Sequence, residues 1–270
     1  EIAEDASHNY TADFDLLEQE LAEAEAQICE VDTLPEPIPV RYEWIVESRG
    51  SNNRAALRSE YFTPTSANIV DFEDFDTLAT TRFDAFISKL ANGEDVRIAF
   101  MGDSFVEGDI VTCDLREELQ SRFGGRGAGF IPADIPFATV RKSIKRTSAN
   151  WKTYSVMKPK EAPEALRERL FVSGYLAEGR AGATTRWQAT TSHASLDSCT
   201  QARILLISRD TSRVEVVLGD TLRNEFMIAG DERVREIYVE GPVDDIRLRV
   251  VEGSVMCYGA TMEGNGGVTV

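Results

Sequence analysis

The chain has 270 residues, 42% of them hydrophobic, and carries a formal net charge of −17. That length holds one large domain or two of ordinary size around a real core. The charge speaks against nucleic acid as a partner, because phosphate binding calls for basic patches. No apolar run approaches the ~20 residues needed to cross a bilayer, so no membrane span is expected, and the polar start Glu1–Asp5 does not read as a signal peptide.

Residues 1–40 hold twelve acids and no Lys or Arg. Phe14, Leu17, Leu21, Ala24, Ile28 and Val31 recur at spacings of three and four, which predicts an amphipathic helix over 11–33 that either docks on its own domain or binds a partner. Leu34-Pro35-Glu36-Pro37-Ile38-Pro39 reads as a stiff extended linker. Tyr42–Val46 suits a short strand. Leu78, Phe83, Phe86, Ile87 and Leu90 predict a helix between Asp74 and Leu90, which Ala91-Asn92-Gly93 ends.

Val96, Ile98, Ala99, Phe100 and Met101 then form a nearly continuous apolar run, the pattern of a parallel strand covered on both faces. Gly102-Asp103-Ser104 breaks it. Beyond Gly108, Val111, Leu115, Leu119 and Phe123 recur every fourth position, one face of a helix that stops at Gly124-Gly125. A serine between such a strand and a helix N-terminus lies at the carboxyl edge of a sheet, where α/β proteins place their chemistry.

At these residues the chain resembles the SGNH (GDSL-type) hydrolases, whose first block is Gly-Asp-Ser-(Leu/Phe)-x-x-Gly; here it stands as Gly102-Asp103-Ser104-Phe105 followed by Gly108. The resemblance implies that Ser104 is the acyl-accepting nucleophile, that its N–H contributes to an oxyanion hole, and that Asp103 supports the turn. The family's later blocks, a Gly-x-Asn-Asp and a C-terminal Asp-x-x-His that supplies the base, do not occur here. The only histidines are His8, in a polar tail as Asp5-Ala6-Ser7-His8, and His193, in a polar loop and read as solvated.

Gly124-Gly125-Arg126-Gly127-Ala128-Gly129 follows a helix and lacks Gly-Lys-Ser/Thr, so it is not read as a phosphate cradle. From about Phe137, short β-type runs recur at Lys152–Met157, Leu170–Leu176, Thr184–Ala189, Ala202–Ser208, Val214–Leu218, Asn224–Ile228, Glu236–Val239, Ile246–Val251 and Val255–Thr261, which predicts a β-sandwich. The expected organisation is an acidic arm and linker (1–40), the start of an SGNH-like α/β domain (41–135), an inserted β-sandwich (136–261) and a return toward the α/β domain (262–270). Cys257–Val270 reads as a strand, a Gly-rich turn and the opening of another strand. The expectation is therefore a hydrolase that continues beyond Val270 or is completed by a separate polypeptide.

Cys29, Cys113, Cys199 and Cys257 show no metal-ligand spacing, so neither a metal nor any other cofactor is expected. Cys199 and Cys257 suit either free thiols or a disulfide in an oxidising compartment. The resemblance implies a serine esterase that removes O-acyl, above all O-acetyl, groups from a cell-envelope or other carbohydrate, in an exported or periplasmic setting. An O-acyltransferase to a polysaccharide and a non-catalytic glycan-binding or assembly protein are the alternatives. Trp151 and Trp187, with Tyr154 and Tyr175, are the candidates for stacking on sugar rings.

Overall fold

The architecture is that of a computed structural model, which describes residues 40–46, 82–136, 141–170, 173–193, 195–196 and 199–270. The acidic helix expected over 11–33 and the linker before Val40 lie outside the described residues. So does the start of the helix expected from Asp74.

The body is a ten-stranded sheet, ordered β1-β9-β6-β11-β5-β10-β7-β8, with β3 added to β11 and β4 to β5. Its strands are β1 (Val40–Ile45), β3 (Gly129–Pro132), β4 (Ile144–Ser155), β5 (Tyr175–Ala189), β6 (Gln201–Ser208), β7 (Ser212–Leu218), β8 (Leu222–Ile228), β9 (Arg235–Glu240), β10 (Asp245–Glu252) and β11 (Ser254–Glu263). The pairings are antiparallel except β1 on β9. Alternation drives the assembly: along β10, Ile246, Leu248 and Val250 are buried, while Arg247 and Arg249 face outward to Asp220 and Glu215. The inward faces share one core that includes Ile204, Leu206, Val216, Ile228, Ile237, Leu248 and Trp187. The sheet curls over that core until its two ends meet, the Tyr42 ring of β1 standing edge-on to Phe226 of β8 with centroids 6.3 Å apart.

Seven of the nine β-type runs lie wholly within strands, and the other two do so in part. Lys152–Met157 overruns β4 by two residues. Leu170–Leu176 enters a strand only at Tyr175, after a short helix at Glu164–Arg167. The sheet also takes in Val40–Ile45 and Gly129–Pro132, residues that the boundaries 41–135 assign to the α/β portion.

The remaining elements are α1 (Arg82–Ala91), β2 (Val96–Arg97), the four-residue helix α2 (Ser104–Glu107), α3 (Thr112–Phe123) and β12 (Val268–Thr269). β12 lies parallel to β2, and Leu90, Val96 and Val268 form a small core with Phe86, Ile98, Leu119, Phe123 and Val270 around it. The expected double-covered strand is thus only two residues long. Val96 is buried, but Phe100 is 41% and Met101 76% exposed, because β12 is the one strand paired with β2 among the described residues. In α3 the best-buried face is polar, carrying Arg116, Glu117 and Gln120, while Val111 is exposed and Leu115, Leu119 and Phe123 are half-buried. Its polar groups are bonded: Gln120 Nε2 donates to the carbonyls of Gly127 (3.1 Å) and Val268 (3.0 Å), and Glu117 accepts from Ser195 Oγ (2.7 Å).

The aromatic candidates are mostly interior. Trp187 is fully buried with its indole N–H on the Pro132 carbonyl (3.2 Å), and Tyr154 and Tyr175 are buried as well. Trp187 therefore presents no face to a sugar; it is a core residue, which corrects its assignment. Trp151 is half-buried, donates to the Thr184 carbonyl (2.9 Å) and lies over Gly179, its partner on β5. A Cβ at Gly179 would stand 2.5 Å from that ring and from Ala183. Gly179→Ala should therefore cost about 1–3 kcal/mol in a denaturant titration, and Trp151→Leu in the same chain should restore part of it.

Candidate active site

Ser104 opens α2 immediately after the loop that leaves β2. Gly102 is required there because a Cβ would stand 2.4 Å from Val106 Cγ2. Asp103 caps the turn. Its carboxylate accepts from Phe105 N (2.9 Å), and its carbonyl accepts from Val106 N (3.0 Å) and Glu107 N (3.1 Å). The Ser104 carbonyl accepts from Gly108 N (2.9 Å). Ser104 is exposed, and among the described residues neither its hydroxyl nor its N–H has a hydrogen-bond partner. An accessible hydroxyl beside a free N–H has the geometry of a nucleophile with its first oxyanion donor.

Two contacts tie this segment to the sheet. The first is Tyr175, whose hydroxyl donates to Glu107 Oε1 (2.6 Å); burial and that carboxylate push the phenol up to about 12. The second centres on Asp109, a buried residue at φ 59°. Its carboxylate accepts from Arg116 Nη2 (2.7 Å), Thr112 Oγ1 (2.6 Å) and the Ser143 hydroxyl, with Arg141 Nη2 at 3.7 Å. Burial alone would raise its pKa. The hydrogen bond from Arg116, helped by Arg141 and Ser143, outweighs burial and holds the carboxyl at about 2.

Among the described residues no histidine is hydrogen-bonded to Ser104. His193, expected to be solvated, is half-buried and held against α3, with Nε2 3.2 Å from Asp114 Oδ1 and Nδ1 3.2 Å from Ser192 Oγ. His8 lies outside the described residues. Cys199 and Cys257 are buried and not joined to each other, so the disulfide expected as one option is not formed.

Sequence reasoning missed a cleft of about 210 Å³ beside the β2–β12 pair. Here Arg41 and Arg203 lie on the Tyr238 ring at 5.0 and 5.5 Å from its centroid. Their charges are answered by Glu236, 2.7 Å from Arg41 and 3.7 Å from Arg203, while Arg97 forks onto Glu263 at 2.8 and 2.5 Å. These guanidiniums are already paired, which leaves little positive field for an anion.

No protein-family model matches the chain, and no curated protein matches it. Among solved structures it is similar to a peptidoglycan O-acetylesterase, at 20% identity and a TM-score of 0.50 over 68% of this chain and 49% of that one. It is also similar to the carbohydrate-binding module CsCBM6-3 from Clostridium stercorarium, solved with cellobiose (13% identity, TM-score 0.32, 52% of this chain and 97% of that one). A third is a family two carbohydrate esterase from Cellvibrio japonicus (10%, TM-score 0.25, 47% and 36%). The chain thus spans about half the length of the O-acetylesterase it matches. At 20% identity that likeness is one of fold.

The Asp109 cluster yields a stability test. Asp109→Asn strands Arg116 in the interior and should cost about 3–5 kcal/mol in urea unfolding. In the parent chain the carboxylate's pKa is depressed from 3.8 to about 2. Its stabilisation, about 2 kcal/mol, is therefore present above pH ~4 and lost as pH falls from there toward ~2. That acid-limb slope should be shallower in the variant.

Proposed function

We propose that this chain carries the nucleophile segment of an SGNH-type serine esterase that removes O-acyl, above all O-acetyl, groups from a cell-envelope polysaccharide outside the cytoplasm. The observation that carries the reading is Ser104 itself: exposed, unpartnered among the described residues, and opening a capped turn after the loop that leaves a strand of a parallel pair. The likeness in fold to a peptidoglycan O-acetylesterase supports the substrate class.

In this reading Ser104 Oγ attacks the ester carbonyl carbon while a histidine takes its proton. The Ser104 N–H stabilises the oxyanion, and the sugar alkoxide leaves with the proton returned by the base. Water then hydrolyses the acyl-serine. In this reading the base lies outside the described residues, among which the one histidine, His193, is engaged by Asp114 and Ser192. The polypeptide that carries it would also cover Phe100, Met101, Phe105 and Ile110, the exposed apolar residues around the serine turn.

A fluorophosphonate probe tests the reading in the full-length gene product: labelling should fall on Ser104 and vanish in Ser104→Ala. Residues 1–270 alone should turn over acetyl esters about 10⁴-fold more slowly than an enzyme with a complete triad. No labelling of the full-length product would refute the esterase, and rapid Ser104-dependent turnover by residues 1–270 would place the base within them.

A further inference from the structure

Cys113 and Asp114 occupy the first turn of α3, and His193 belongs to the loop that follows β5. Eighty residues apart in the chain, they face one cleft of about 310 Å³, lined also by Gly108, Asp109, Ile110, Lys142 and Ser192. Cys113 Sγ lies 3.6 Å from Asp114 Oδ1, and His193 Nε2 lies 3.2 Å from the same oxygen. All three donor atoms fall within 4.8 Å of one another.

The two spacings to Asp114 match edges of a coordination tetrahedron. With zinc bonds of about 2.3 Å to sulfur and about 2.0–2.1 Å to nitrogen and oxygen, tetrahedral angles put S and O about 3.6 Å apart and N and O about 3.3 Å apart. We propose that Cys113, Asp114 and His193 form a site for a divalent zinc-type cation. The thiolate and imidazole donors select against calcium and magnesium, which take oxygen. On binding, the thiol proton leaves to solvent and the sulfur lone pair joins the metal, so thiolate and carboxylate together cancel the dication's charge.

The surroundings hold the ligands in place. Ser192 Oγ, 3.2 Å from His193 Nδ1, fixes the ring so that Nε2 faces Asp114, and Ser192 is itself anchored on the Lys142 carbonyl (3.0 Å). Lys142 is the cationic residue of the lining, and its single charge is exceeded by the two negative ligands. Asp109 is committed to Arg116 and Ser143 and serves to set the start of α3. Three protein donors leave a fourth position open to the cleft, the pattern of zinc sites that keep a water or an exchangeable anion.

Cobalt(II) titration of the chelator-treated chain tests this. One equivalent should produce intense tetrahedral visible bands and a near-ultraviolet thiolate-to-cobalt band, both displaced by zinc. Cys113→Ser should abolish the charge-transfer band, His193→Gln and the exposed Asp114→Asn should weaken binding by about tenfold or more, and Cys29→Ser should leave it unchanged. Circular dichroism identifies any variant that fails to fold, and Asp114→Asn, at an exposed position, supplies a folded one. Absence of the band in the parent, or its persistence in Cys113→Ser, overturns the site.

Discussion

The buried carboxylate of Asp109 holds the functional half of the molecule together. The residue adopts a left-handed backbone, which costs about 1–3 kcal/mol where a side chain is present, and it takes a negative charge out of water. Both costs are met by four donors or cations from separate places: Thr112 and Arg116 on α3, and Arg141 and Ser143 at the approach to β4. Arg116 reaches further, its Nε to the Val270 carbonyl at 3.4 Å. One ion thus sets the angle at which the serine turn meets α3, the last strand and the large sheet.

Strand identity was legible because it is local. The alternation of Ile246, Leu248 and Val250 with Arg247 and Arg249 places β10 within a residue or two, and the Gly102 break marks the serine turn. Strand order was not legible. The parallel pairing of Val40–Ile45 with Arg235–Glu240 joins segments almost two hundred residues apart, and no local pattern encodes it. The apolar run 96–101 misled for a related reason: hydrophobicity reports a preference for cover, and the described residues supply that cover only at Val96 and, in part, Ile98.

The site divides in the same way. Ser104 and its capping Asp103 are neighbours in a short motif and could be read directly. Glu107 with Tyr175, and Cys113 and Asp114 with His193, are pairings across 68 and 79 or more residues, and cysteine spacing along the chain says nothing about a ligand brought in by a distant loop. Trp187 looked like a sugar platform because aromatic content cannot distinguish an inward from an outward face. Its neighbour across the sheet, Arg146, is half-buried with its pKa lowered by burial, so a charged residue shares that face with it.

The glycines at 125, 127, 129 and 267 let the segment leaving α3 lie directly on the segment returning from β11. A Cβ at Gly125 would meet the Val268 carbonyl at 2.4 Å, and one at Gly127 the Met262 carbonyl at 2.0 Å. Two crossings so close together act as a single hinge pin, about which a β-layer could swing. The Tyr175–Glu107 bond and the Asp109 cluster attach the layer at further points, through β5 and the approach to β4. Fixing a body at points off its hinge line removes the remaining rotation, so the serine turn and the sheet are held as one piece.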